Sequence, residues 1–106
     1  MITSKQRAYL RSLANELDTI LMIGKSGVGE DIVKQADDAL TAREIIKAKV
    51  LETSPVPVRE AAEQIAGRTN AEVVQVIGAK FVLYRRNEKE PKITLPKAPK
   101  KGYDIR

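Results

Sequence analysis

Cysteine, histidine and tryptophan are all missing from this 106-residue sequence. Without cysteine, neither a disulfide framework nor a thiolate metal site can form. Without histidine, the commonest general base, the commonest metal ligand and most triad chemistry are gone. Aromatic residues are few: Tyr9, Phe81, Tyr84 and Tyr103. A domain that reads unpaired bases by stacking usually carries an aromatic pair on a sheet, and no such pair stands out. No apolar run approaches the length of a membrane span, and residues 1–10 lack the apolar core of a signal peptide. The expectation is a soluble, cytoplasmic protein, one domain in size, long enough to bury a core without staples.

What is abundant is positive charge. Nineteen Lys and Arg against fourteen Asp and Glu leave a net charge of +5. On a small intracellular domain, that excess favours a nucleic-acid partner.

The apolar pattern predicts seven elements in the order α-β-α-β-α-β-β. Thr3 and Gln6 fit a capping box before a first helix with Leu10, Leu13, Ala14 and Leu17 as its stripe. Ile20 to Ile23 read as a short buried strand that stops at Gly24. A second helix starts near Gly29 and runs to Ala42 or Arg43, with Ile32, Ala36, Ala39 and Leu40 on one side. Its other side (Lys34, Asp37, Asp38, Thr41) reads as solvated. Glu44 to Leu51 form a second strand, in which Ile46, Ala48 and Val50 alternate with Lys47 and Lys49. A third helix starts between Pro55 and Val58, with Ser54 a candidate cap and Asn70 a left-handed stop. Val73 to Ile77 and Phe81 to Tyr84 pair through Gly78-Ala79, a two-residue loop with glycine first, as a type II′ turn prefers. The fold expected is a compact two-layer α/β domain with a mixed four-stranded sheet. The order of strands stays open. Residues 1–86 make the domain, and 87–106, rich in Lys and Pro, make an extended or disordered basic tail.

The chain is organised around Gly24-Lys25-Ser26-Gly27. A nucleotide-binding P-loop would need a glycine where Thr19 stands, so an NTPase is excluded. A bare G-x-x-G is a weak pattern, and taken alone a tight strand-to-helix turn is the better explanation of it. Here it holds a lysine, precedes a helix start and sits in a basic chain. Backbone N–H groups and a helix dipole then point outward together, which suits a phosphate, and KH-type domains clamp RNA backbone with such a loop. Glu30 and Asp31 oppose this, because acids in the first turn repel an anion. Lys47 and Lys49 share one sheet face and repel each other, which an anionic partner would relieve; an exposed face blunted against edge pairing is the plainer alternative. Lys5, Arg7 and Arg11 are an ordinary wet helix face or part of the same footprint, and Arg85-Arg86 closes the last strand and can join either patch. The acid pairs Glu30-Asp31 and Asp37-Asp38 diverge by about 100° around their helix, so neither converges on a metal.

These pieces, in this order, resemble the CRM domain (chloroplast RNA splicing and ribosome maturation) in its small, stand-alone bacterial YhbY-like form. The resemblance is carried by residues 5–11 (Lys-Gln-Arg-Ala-Tyr-Leu-Arg), Gly24-Lys25-Ser26-Gly27-Val28, Glu44-Ile45-Ile46-Lys47, Val74 to Gly78 and Val82 to Arg85. It implies a fold akin to the C-terminal domain of a bacterial translation initiation factor. It also implies an RNA-binding domain that associates with precursors of the large ribosomal subunit through ribosomal RNA. The expectation is a non-enzymatic, cofactor-free monomer that binds this structured RNA rather than DNA or a membrane. By position, the RNA-binding residues would be Gly24, Lys25, Ser26 and Gly27, extended by Lys5, Arg7, Arg11, Lys47, Lys49 and Arg85. Two positions depart from the family pattern: Gly29 replaces a hydroxyl-bearing cap residue, and Asn70 replaces a glycine. The alternative is a protein-interaction module that docks on a ribosomal protein or assembly factor through an apolar sheet face.

Overall fold

The structure, a computed structural model, describes residues 2–95. The described residues form helices α1 (Ser4–Ala14), α2 (Glu30–Arg43) and α3 (Val58–Thr69), and strands β1 (Thr19–Ile23), β2 (Ile45–Val50), β3 (Glu72–Ile77) and β4 (Lys80–Tyr84). The expected tail lysines Lys97, Lys100 and Lys101, with Pro96 and Pro99, lie outside the described residues.

Local signals set most boundaries. Thr3 caps α1: its hydroxyl accepts from Gln6 N at 3.1 Å, and Gln6 Oε1 accepts from Thr3 N at 3.0 Å. The two reciprocal bonds satisfy donors that a helix start leaves orphaned. Asn70 stops α3 in the left-handed region, at φ 61° and ψ 39°. Gly78 has φ 59° at the first position of the β3–β4 turn, as the hairpin requires. Ser54 behaves differently from expectation. Its hydroxyl accepts from Val56 N and donates to Val56 O, closing a local turn, while Pro57 occupies the N-cap of α3 with no side-chain bond. A short polar side chain next to two prolines satisfies its own loop before it reaches a helix.

The sheet order is β1-β2-β4-β3, with β1 and β2 parallel and β4 antiparallel to both neighbours. The first three strands therefore run the same way, and the hairpin folds β4 back between β2 and β3. Phe81-Val82-Leu83-Tyr84 are all buried, as a central strand packed on both faces demands.

One face of the sheet is fully covered. Leu21, Ile23, Ile46, Ala48, Val50, Phe81 and Leu83 pack with Ala36 and Leu40 of α2 and with Ala61, Ala62 and Ile65 of α3. The opposite face is covered at one end only, where Leu10 and Ala14 of α1 pack on Ile45, Val74, Val82 and Tyr84. Helix α1 thus adds a partial third layer to the two-layer body.

Glu44 is fully buried, at 0% exposure, and lies outside the second strand rather than at its start, where its sequence context predicts it. It is the C-cap of α2, with φ 67° and ψ −38°. Its carboxylate accepts three backbone N–H groups at 2.7 Å, from Asn87, Lys92 and Ile93. Those bonds hold the segment after β4 against the body, and Ile93 and Leu95 pack on the α1-side core. Residues 87–95 form neither helix nor strand, yet they are anchored by one buried side chain.

Candidate nucleic-acid interface

Residues 24–27 form a tight turn in which Gly27 N–H donates to Gly24 O at 2.9 Å. Lys25 and Ser26 are the two central residues and both are exposed. Gly27 is buried at the rear with φ 68°, and a Cβ there would meet Pro55 Cγ at 3.0 Å. So Gly27 is required for the turn itself. Gly24 is under no such demand: a Cβ there would find Leu51 and Thr53 at an ordinary 3.7 Å. The two glycines have distinct roles that the bare motif hides.

Gly29 follows as the N-cap of α2, extended at φ −99°, with no side chain to bond the first-turn donors. The N–H groups of the first turn are left without a capping side chain, beside the exposed Lys25-Ser26 tip. Exposed Glu30 and Asp31 stand in that same turn and offset part of the dipole's pull on an anion.

Tertiary structure sorts the other expected cations into two groups. Arg7 is an internal tie: its Nη1 donates to Val73 O and, at 3.3 Å, to Val74 O, where β3 bulges against β4. Arg85 is another. Its Nη1 donates to Asp37 Oδ1 at 2.6 Å and Thr69 O at 2.8 Å, and its Nη2 to Asp37 O at 3.0 Å and Thr41 Oγ1 at 2.8 Å. This fork fastens the end of β4 to α2 and α3, so Asp37 and Thr41 are partners rather than a merely solvated face. Arginine's rigid donor geometry suits such multi-acceptor work. Lys5 and Arg11 are exposed on α1, over the end of the sheet away from the loop.

Lys47 and Lys49 point to the α1-side face of β2 and are half-exposed, with no partner among the described residues. Opposite Lys49 stands Lys80, the first residue of β4, which is exposed and carries no signal in the sequence. No local pattern reveals it, because only the β2–β4 register brings the two together. The row ends in apolar side chains at both edges: Met22 pairs with Lys49 and Ile77 with Lys80, at 55% and 61% exposure.

Comparison with known proteins gives the family of the chain. The model of the CRS1/YhbY (CRM) domain family matches residues 2–85. The chain is a CRM-domain protein. "Probable RNA-binding protein YqeI" of Bacillus subtilis is 38% identical over 96 residues, which is 91% of this chain and 100% of that protein. An RNA-binding protein of Haemophilus influenzae is 35% identical, over 91% of this chain and 96% of that one. The solution structure of a hypothetical Staphylococcus aureus protein, described there as an RNA-binding candidate, superposes with a TM-score of 0.76. It shares 46% identity over 91% of this CRM chain and 100% of that one. No helix among the described residues of the domain is long and apolar enough to cross a membrane.

Proposed function

We propose that this CRM-domain protein binds RNA backbone through the Gly24–Gly27 turn, without catalysing a reaction, as a cytoplasmic factor in assembly of the large ribosomal subunit. One observation carries the reading. An exposed lysine and serine at a turn tip stand beside a helix start that has no capping side chain, so one ammonium and free N–H groups face solvent together. The names of the relatives support RNA as the polyanion, and Lys47 and Lys49 extend positive charge along the sheet from the loop. The absence of histidine and cysteine from the sequence favours binding over chemistry. In this reading Arg7 and Arg85 act through the fold that they tie, and Lys5 and Arg11 lie outside the main footprint.

Phosphate contacts position an RNA rather than specify its sequence. Lys25→Glu should therefore weaken binding to every RNA tested alike, and flatten the slope of log affinity against log salt by roughly 0.7–0.9 for each phosphate no longer neutralised. Filter binding across a salt series reads both. Unchanged affinity and slope would remove the turn from the interface. Sedimentation of cell extract in low and high salt tests the assembly role: the protein should travel with large-subunit precursors at low salt and leave them at high salt.

A further inference from the structure

We infer that the uncovered end of the α1-side sheet face is a track for an unpaired RNA strand, continuing from the backbone clamp at the loop; this rests on the reading of the loop as that clamp. The track is the row Met22–Lys49–Lys80–Ile77, one residue from each strand, set side by side by the register of all three strand pairs. Three inter-strand gaps of about 4.8 Å make it roughly 14 Å wide. Lys47 lies behind it on the same face.

Three features of the row point to a ligand. First, Lys49 and Lys80 are directly opposed on the two central strands, and neither has an acidic partner among the described residues. Like charges so placed destabilise a sheet, and a polyanion crossing between them removes that cost. Second, Met22 and Ile77 leave more than half their surface in water on either flank, while the same face is closed over Val82 and Tyr84 by α1. Third, the row adjoins the loop. Met22 precedes Gly24 by two positions on β1, about 7 Å of strand, and Leu51 N–H just beyond β2 donates to Ile23 O at 2.8 Å.

Cations in the middle and apolar groups at the rims match an unpaired strand better than a duplex. A single strand can lay phosphates along the lysines and turn base faces onto the aliphatic flanks; a duplex keeps its bases stacked inside and would set Met22 and Ile77 against phosphates and water. With no aromatic side chain in the row, the contact is aliphatic burial rather than stacking. The track therefore prefers unpaired RNA without reading its sequence.

The test is fluorescence anisotropy with the full chain, using a short oligouridylate and a blunt RNA duplex of equal length as probes. Lys80→Glu should weaken oligouridylate binding about tenfold and reduce its salt slope. Its Tm should equal or exceed the parent's, because the opposed like-charge pair is gone. The double variant Met22→Ser/Ile77→Ser should weaken oligouridylate binding about threefold and leave duplex binding unchanged. If Lys25→Glu abolishes binding while both sheet variants bind oligouridylate like the parent, the track is refuted and the loop reading stands. If the sheet variants bind weakly while Lys25→Glu binds normally, the loop reading fails, and the track is overturned as a continuation of the loop although the sheet face binds RNA. Equal weakening on both probes from the apolar double variant would overturn the track.

Discussion

Lys80 and Tyr84 stand at the two ends of β4 and face the same side of the sheet, yet their surroundings are opposite. Around Tyr84 the face is sealed by α1 and by the segment that Glu44 holds down. Around Lys80 nothing among the described residues covers it, and lysines and exposed aliphatics remain. The closed end is packed into a small second core, and the open end, with the loop beside it, is where a ligand can reach. What separates them is the length and placement of α1, which spans only part of the sheet.

The comparison can be broken most severely at Glu44. Glu44→Ala leaves three N–H donors of residues 87–93 without their shared acceptor, so unfolding free energy should drop by about 2–4 kcal/mol. The protein that remains folded should bind RNA as before. Denaturant titration beside a binding curve separates the two effects, and an unchanged midpoint would show that Glu44 is not the anchor described. Next comes the rear of the loop. Gly27→Ala should cost roughly 1–2 kcal/mol, from left-handed backbone and the approach to Pro55. Gly24→Ala, with room for a methyl, should stay within about 0.5 kcal/mol of the parent. If the two behave alike, the division of roles between the glycines is wrong.

The smallest effect concerns Tyr84. Burial, then the nearby Glu44 carboxylate, pushes its phenol above the ordinary value of 10.0. In the unfolded chain the phenol ionises at about 10, whereas the folded chain holds its proton longer and so binds more protons just above that pH. Stability is thus unaffected below about pH 10 and falls as pH climbs through the folded value. Tyr84→Phe should flatten that alkaline decline in chemical unfolding between pH 8 and 11 (a range set by the ordinary phenol value). An equally steep decline in the variant would assign it to other groups.

Elements with local causes are legible in the sequence. The capping box at Thr3, the left-handed Asn70, the Gly78-Ala79 hairpin and the strand ending at Gly24 all depend on residues within a few positions. The residues whose roles differ from their sequence reading share the opposite property. Glu44 reads locally as the start of a strand, but the groups that claim its carboxylate lie 43 to 49 positions away. Arg7 and Arg85 read as free cations, yet their acceptors are up to 67 and 48 positions distant. Lys80 carries no signal at all, because its meaning comes from the strand laid beside it.

Periodicity, capping residues and glycine positions were enough to determine the element order, the apolar side of each helix and the presence of a basic turn, since each follows from backbone geometry over a few residues. Tertiary structure alone decided which cations are spent on internal carbonyls and carboxylates and which remain in solvent. It also decided which half of a uniformly alternating sheet face stays uncovered. The physical reason is that a charged side chain has no fixed role until its nearest opposite dipole is placed, and that placement depends on register and layer packing across the whole chain.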